Sequence, residues 1–299
     1  MNGRGVNSRI NSLKLFLIPA AVLYLLFYIY PIGKLFADSF CEYNKMRTVR
    51  TFVGLENYIQ VLKDTVFYES SWITLRYIFF CVFFEFVLGF AIALSLNKGF
   101  FGNKLARSLF MTPLMLAPVV SGLTWKFMFS SQFGIFNQLL YKAGLISSPE
   151  AVLWLSDKTL AFVACCVAHV WVSTPFFIIT ILAGLKGIPQ ELYEAAEIDG
   201  ANKIQNLFYI TIPSLRPLLI TVILLKAIDA ARGFDIIWVL SQGGPGTATQ
   251  TLSIYLYKNT VQYNKIGYSS AMSIIFMAMI MVTACIFLKY LKPQGGGKG

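Results

Sequence analysis

The chain is poor in charge. Only 13% of its 299 residues are Asp, Glu, Lys or Arg, about half the share of an ordinary soluble domain. Apolar residues make up 57%. A soluble core of this size could not hide that much apolar surface, so the natural solvent is a bilayer. Histidine is almost missing, with His169 the single copy. No Cys-x-x-Cys pair and no Cys/His cluster occurs, which leaves no basis for a zinc site or a disulfide framework. The five cysteines, Cys41, Cys81, Cys165, Cys166 and Cys285, read as inert buried thiols, four of them inside apolar runs. There is no G-x-S-x-G and no metal-spaced ligand set, so hydrolase and metalloenzyme chemistry have no constellation to rest on. The phosphate-cradling G-x-x-x-x-G-K-[ST] loop is also absent. Nothing in the sequence can cradle nucleotide phosphates in that way.

Acidic residues are scarce too, 14 against 25 Lys and Arg, for a net charge of +11. In a soluble protein that balance would point to nucleic acid. Here no polar segment carries a basic stripe interleaved with aromatics. The surplus reads instead as cations gathered near anionic headgroups.

Six apolar runs are long enough for a hydrocarbon core that needs about 20 residues per helix. They are 15–37, 72–96, 105–129, 160–185, 214–240 and 268–291. The pattern predicts an all-α integral membrane protein, one domain over 1–299 with no separate soluble part. The first run is too long for a signal-peptide core and is read as a retained anchor. Pro19, Pro31, Pro113, Pro118 and Pro175 interrupt these runs. In lipid such breaks survive only where other helices or a wet cavity satisfy the freed backbone groups. That favours a packed bundle. Residues 295–299 read as a disordered tail.

Unopposed basic residues flank the runs on one side: Arg4, Arg9 and Lys14, then Lys98, Lys104 and Arg107, then Lys289, Lys292 and Lys298. Residues 38–71 mix basics with five acids. Both termini are thereby expected in the cytoplasm. So is the link 186–213, which reads as a helix–turn–helix. Pro189 sits at a helix start. Glu191 and Glu194 suit the positive end of the helix dipole. Gly200 is placed to end the helix, and a second helical stretch, 202–211, should stop at Pro213.

That link carries a recognisable pattern. It reads Glu194-Ala195-Ala196, three residues, Gly200, nine residues, Ile210-Thr211-Ile212-Pro213. This resembles the EAA loop of ATP-driven importer permeases, with Ile212 where Leu is usual. More of the chain is similar to the maltose and glycerol-phosphate type of carbohydrate permease: Phe52-Val53-Gly54-Leu55-Glu56-Asn57-Tyr58, Trp125 with Gly134 and Asn137, Phe234-Asp235, Gln242-Gly243-Gly244-Pro245, and Gly267-Tyr268 with Ala271. The resemblance implies a six-helix, type I permease with a coupling helix between helices four and five. It implies a second homologous permease, two ATPase subunits and an extracytoplasmic sugar-binding protein as partners. It also implies that Glu191, Glu194, Ala195, Ala196, Asp199 and Gly200 dock an ATPase. The residues are suited to that on their own. Two alanines let another backbone approach, Leu192 and Tyr193 add apolar area, and the acidic charge can orient a partner.

Charges within apolar helices usually face a cavity or a partner. Lys226, Asp229, Arg232 and Asp235 are spaced three apart, so each has an opposite neighbour on one helix face. They read as a hydrated sugar path or as a self-paired ladder. By resemblance the sugar-contacting positions lie on this helix, which makes Lys226, Asp229, Arg232 and Gly233 substrate-path candidates. Trp171 and Thr174 join them, because sugars stack on aromatics. Trp238 reads as an interfacial belt residue, and Lys126 as a residue whose ammonium snorkels to the outer interface. Glu85 is expected to be protonated or paired with a Lys or Arg of another helix, and His169 to bond between helices. The competing reading is an ion-coupled secondary carrier using Asp229, Asp235 or Glu85 as a proton relay. It leaves the acidic link helix unexplained and finds no inverted repeat.

Overall fold

The computed structural model describes residues 17–44 and 50–291. Arg4, Arg9, Lys14, Lys45, Arg47, Lys292, Lys298 and the glycine-rich end lie outside them. Twelve helices are labelled here in chain order. They are α1 (Leu17–Ser39), α2 (Glu56–Lys63), α3 (Thr65–Asn97), α4 (Asn103–Met111), α5 (Pro118–Met128), α6 (Ile135–Lys142), α7 (Lys158–Lys186), α8 (Gln190–Ile198), α9 (Lys203–Arg232), α10 (Asp235–Ser241), α11 (Leu252–Tyr257) and α12 (Ile266–Leu291). Among the described residues the one sheet is a short antiparallel ribbon, β1 (Cys41–Tyr43) on β2 (Arg50–Phe52), with Cys41 opposite Phe52.

Five of the helices, α1, α3, α7, α9 and α12, are long and apolar enough to cross a membrane. The sixth predicted run, 105–129, is not one straight helix. Residues 103–115 and α5 meet at 103°. The cause is local. Ala117 precedes Pro118, whose ring disfavours a helical conformation at the residue before it, and Ala117 and Leu116 are both extended. The fifth run departs in two ways. The stretch after Gly200 does not stop at Pro213 but continues as α9 through Arg232. A π-turn, Asn206–Thr211, precedes that proline, and such widened turns absorb a missing backbone donor. The helix then ends at Arg232, Gly233 and Phe234 leave helical geometry, and Asp235 begins α10.

The chain forms two compact units. One comprises 17–64 with 256–278, the other 65–255 with 279–291.

In the first unit the Phe52–Tyr58 motif has a packing reason. Gly54 takes φ +59, a left-handed conformation that favours glycine. Asn57 is buried and donates to the Ser39 and Cys41 carbonyls at 2.9 and 3.0 Å. The Tyr58 hydroxyl lies 2.8 Å from Ser39 Oγ. Gly267 is held against this loop so closely that a Cβ would sit 1.8 Å from the Cys41 carbonyl oxygen. Tyr43 donates to Asp38 at 2.5 Å. Burial first, then the Asp38 carboxylate, pushes its phenol up to about 12. No residue of α1 before Asp38 is buried within the chain.

In the second unit α3 and α7 are the central pair. Both are apolar all round, so their buried faces are set by fit rather than by amphipathic pattern. Tyr77, Cys81, Glu85, Gly89 and Ala93 of α3 recur every four residues and are all buried. A Cβ on Gly89 would lie 2.4 Å from Phe177 Cβ. The small residue lets the two backbones approach, as at many membrane helix crossings. Gly184 does the same toward Leu215 and Leu218 of α9, and Gly122 of α5 toward Val239 of α10. Asp157 caps α7, accepting from Thr159 and Leu160 N–H at 2.9 and 2.8 Å, which satisfies two of the orphan donors of a helix start. Beyond α5, Asn137 is buried, accepts from Trp154 Nε1 at 2.6 Å and donates to the Val152 carbonyl at 2.9 Å. Gly134 has no room for a side chain, since a Cβ would meet the Ser130 carbonyl oxygen at 2.2 Å.

All five cysteines are free. Cys285, inside an apolar run, is exposed, whereas Cys41, outside one, is buried.

Candidate functional site

The end of α9 is where the polar residues collect. Lys226 Nζ donates to Asp229 Oδ2 at 2.6 Å and to Ser173 Oγ of α7 at 3.1 Å. Lys226 is buried, while the Asp229 side chain is 63% exposed. This is the only rung of the expected ladder that closes among the described residues. Arg232 is the last residue of α9 and Asp235 opens α10 beyond the Gly233–Phe234 break, so the two no longer share one helix face. No ion pair engages either among the described residues.

The break has its own support. Ser253 Oγ donates to the Ala231 carbonyl at 3.1 Å, one of the orphan acceptors of a helix end. Thr74 Oγ1 accepts from Leu252 N–H at 2.9 Å. Gly233 faces Tyr77, with a would-be Cβ 3.7 Å from Tyr77 Cε1 and 3.1 Å from the Ala230 carbonyl oxygen.

A cavity of about 680 Å³ opens here. Tyr77, His169, Ser173, Phe176, Lys226, Asp229, Arg232, Gly233 and Asp235 line it. Its size lies within the usual range for small-molecule sites, and its wall mixes aromatic rings with hydroxyl, cationic and anionic groups. The Lys226 ammonium sits 5.7 Å from the Phe176 ring centre. The Tyr77 hydroxyl is buried with no hydrogen-bond partner, so the wall holds a donor left unsatisfied.

Trp171 and Thr174, the other two substrate-path candidates, do not line this cavity. They line a second, apolar cleft of about 760 Å³ with Arg76, Phe80, Phe84 and Trp125. The reason is helical geometry. Trp171 lies two residues from both His169 and Ser173, and residues two apart do not share a face. Trp171 packs edge-on to Trp125 at 5.8 Å, and Thr174 donates to the Val170 carbonyl at 2.6 Å. Trp238 stacks on Phe234 at 5.5 Å. Glu85 is wholly buried and no Lys or Arg pairs with it among the described residues; its Oε1 lies 3.3 Å from His169 Nε2, and neither carboxyl oxygen makes a hydrogen bond. Sequence reasoning also missed Tyr77, Ser173 and Phe176 as cavity residues. Ser173 and Phe176 fall three or four residues from His169 or from each other, a spacing that could have revealed them.

The link after α7 forms the second feature. Pro189 precedes α8, and Glu191 stands in its first turn. Gly200 takes φ +80. Its N–H bonds the Glu197 carbonyl and that of Ala201 bonds the Ala196 carbonyl, at 3.1 and 2.9 Å. These are the two bonds of a Schellman end. Asn202 then starts α9, accepting from Ile204 and Gln205 N–H, while Gln205 Oε1 accepts from Asn202 N–H. This reciprocal cap fixes the corner. No residue of α8 is buried. Glu194, Ala195 and Asp199 are exposed and Ala196 is half-buried. Apolar side chains stand out with them: Leu192 at 47%, Ile198 at 87%, and Tyr209 of α9 at 80% exposure. Tyr193 points back instead, its hydroxyl 3.0 Å from Thr211 Oγ1.

The chain has relatives among known proteins. Residues 85–294 match the family described as "Binding-protein-dependent transport system inner membrane component". The chain belongs to this family. It is a multi-pass inner-membrane protein and a permease by family. It is 38% identical over 275 residues to the trehalose/maltose transport system permease protein MalF of Thermococcus litoralis, with 92% of each chain covered. It is 33% identical over 281 residues to the sulfoquinovosyl glycerol transport system permease protein SmoG of Agrobacterium fabrum, covering 94% of this chain and 90% of that one. Its fold matches a chain of a bacterial alginate ABC transporter, solved in complex with an alginate pentasaccharide-bound periplasmic protein. That match has a TM-score of 0.80 at 22% identity and covers 94% and 93% of the two chains. The permease is thus an all-α, type I importer fold.

Proposed function

We propose that this permease is the membrane-spanning subunit of an ATP-driven carbohydrate importer, and that the cavity at Lys226, Asp229 and Arg232 is part of its sugar path. The observation that carries the reading is the cavity itself. It combines hydroxyl, charged and aromatic groups at the broken end of α9, in a chain otherwise short of charge. Sugars offer hydroxyls to polar groups and flat apolar faces to rings. The relatives named above, whose names specify a disaccharide pair and a sulfosugar glycoside, support the class of cargo.

The chain supplies no chemistry of its own. Two ATPase subunits hold ATP and Mg²⁺, a second homologous permease completes the path, and an extracytoplasmic binding protein delivers the sugar. Both termini and α8 face the cytoplasm. There Glu191, Glu194, Ala195, Asp199 and Gly200, all exposed, and the half-buried Ala196 seat α8 in the ATPase, with Leu192 and Ile198 as its apolar contacts. ATP-driven closure biases the helices between two states, and substrate coupling is that bias.

The test is uptake into proteoliposomes holding the assembled importer, with maltose, trehalose and an alginate oligosaccharide as probes and ATP inside. Asp229→Asn with Arg232→Gln should cut uptake of the transported probe about tenfold or more, the scale of lost hydrogen bonds to charged groups. Undiminished uptake by that variant would remove the cavity from the sugar path. Uptake that persists with inactive ATPases would favour an ion-coupled carrier.

A further inference from the structure

A stripe of α3 is left open beside its buried one. Arg76, Phe80, Phe84, Leu88 and Ile92 recur every four residues, each one position before a member of the buried stripe that runs from Tyr77 to Ala93. They form one wall of the apolar cleft of about 760 Å³, and α7 supplies another, from Thr159 to Ile178. The cleft shares no lining residue with the polar cavity. Phe80, Phe84 and Leu88 are exposed, as are Val163 and Val167 of α7, so the cleft opens sideways onto the surroundings of the permease. From Arg76 to Ile92 it follows about 24 Å of helix, at 1.5 Å per residue.

One end of this cleft is cationic. The Arg76 guanidinium lies 5.0 Å from the Phe162 ring centre, and no ion pair engages it among the described residues. The nearest acid along α3, Glu69, stands seven residues back, about 10 Å of helix. Asp157 is occupied in capping α7. Lys158, exposed at the start of α7, adds positive charge at the same end. The depth is also informative. Arg76 and Asn97, the last residue of α3, are about 32 Å apart along the helix, close to the thickness of a hydrocarbon core. Arg76 therefore stands at headgroup level on the side where α3 and α7 begin, and the apolar stripe runs from it toward the bilayer centre.

We propose that this cleft is a binding site for an anionic phospholipid, whose phosphate meets Arg76 and one of whose acyl chains lies along Phe80, Phe84 and Leu88. Arginine pairs with phosphate through two parallel hydrogen bonds, and anionic headgroups attract cations at that depth. A transmembrane helix fits less well. It would have to carry an acid to the guanidinium, a costly residue on a membrane-facing surface. Helices in lipid also seal against one another through small residues, and this stripe of α3 presents two phenylalanines and a leucine.

The test needs no cargo. The assembled importer is reconstituted into phosphatidylcholine vesicles that contain a trace of phosphatidylglycerol with a diazirine midway along one acyl chain. A parallel sample carries the same diazirine chain on phosphatidylcholine. After irradiation, cross-links are mapped by peptide mass spectrometry and normalised to the total labelling of the permease. Residues 80–92 and 162–171 should be labelled several-fold more from phosphatidylglycerol than from phosphatidylcholine. Arg76→Gln should reduce that preference to none. Val167→Trp, which fills the cleft without touching the cation, should lower cleft labelling from both lipids several-fold. Equal labelling by the two headgroups in the wild type overturns the proposal, as does a preference that survives Arg76→Gln or cleft labelling that Val167→Trp leaves unchanged. A cleft unlabelled by either lipid, in a chain labelled elsewhere, also overturns it, and shows that a protein surface such as the second permease fills the cleft. Failure of the sugar-path reading would show in uptake and leave these cross-links as expected here.

Discussion

The Tyr193 hydroxyl lies 3.0 Å from Thr211 Oγ1. Tyr193 belongs to the exposed acidic helix α8, and Thr211 is a buried residue near the start of α9. The helix that ends at the cavity is therefore bonded, at its other end, to the helix proposed to sit on the ATPase. Between the two, the Gly200 turn and the Asn202–Gln205 cap leave little slack. A displacement of α8 has a short, hydrogen-bonded route into α9.

Removing that bond should loosen transport from hydrolysis. Tyr193→Phe keeps the ring and deletes one neutral hydrogen bond, worth about 1 kcal/mol. Sugar uptake per ATP hydrolysed should fall, by about fivefold at most, while ATPase activity in the assembled importer persists. Equal loss of both activities would show that Tyr193 serves assembly instead.

Gly200 offers a separate test of the docking role proposed for α8. A Cβ there meets nothing within 4 Å, but φ is +80. Any cost of Gly200→Ala is therefore backbone strain alone, about 1–2 kcal/mol for a left-handed residue with a side chain. Gly200→Asn should be milder, because Asn tolerates that region. Co-purification of the ATPase should weaken in the order Gly, Asn, Ala. The reverse order for Asn and Ala would point to a steric role.

The helices α3 and α7 cross closely at Gly89. Gly89→Ala places a Cβ 2.4 Å from Phe177 Cβ, an overlap that must push the helices apart at about 1–3 kcal/mol. The Tm of the detergent-solubilised permease should drop. Phe177→Ala should not rescue it, because alanine keeps the clashing Cβ. Rescue by that truncation would mean that the ring, not the backbone approach, sets the spacing.

Much of this fold was legible in the residues. Hydropathy located the long helices, and the Pro189–Gly200 spacing marked the start and end of α8, because these signals are local and sit within one element. What was illegible depends on direction. Hydropathy cannot register a 103° bend when both arms are apolar. The charge spacing 226–229–232–235 assumed one continuous helix, and the Gly233–Phe234 break defeated it. Trp171 and Ser173 look equally central in sequence but face different cavities. The close approach of Glu85 to His169 joins positions 84 residues apart, and no pattern within either helix announces it.

The Lys226–Asp229 pair should respond unequally to losing either partner. Both side chains meet at 2.6 Å, yet Lys226 is 10% exposed and Asp229 is 63% exposed. Lys226→Met leaves a carboxylate that water in the cavity already solvates, and it buries an apolar chain of similar length, so stability should change by less than about 1 kcal/mol. Asp229→Asn leaves a largely buried ammonium with only a neutral amide, Ser173 and the Phe176 ring around it. Stranding a buried charge costs up to about 3 kcal/mol. Lys226→Met with Asp229→Asn should return to the stability of Lys226→Met alone, since no cation remains to be stranded. Thermal unfolding of the three purified variants reads this directly. Equal losses from the two single changes would mean that the ammonium is solvated as freely as the carboxylate, and that the cavity extends further under α9 than its lining residues indicate.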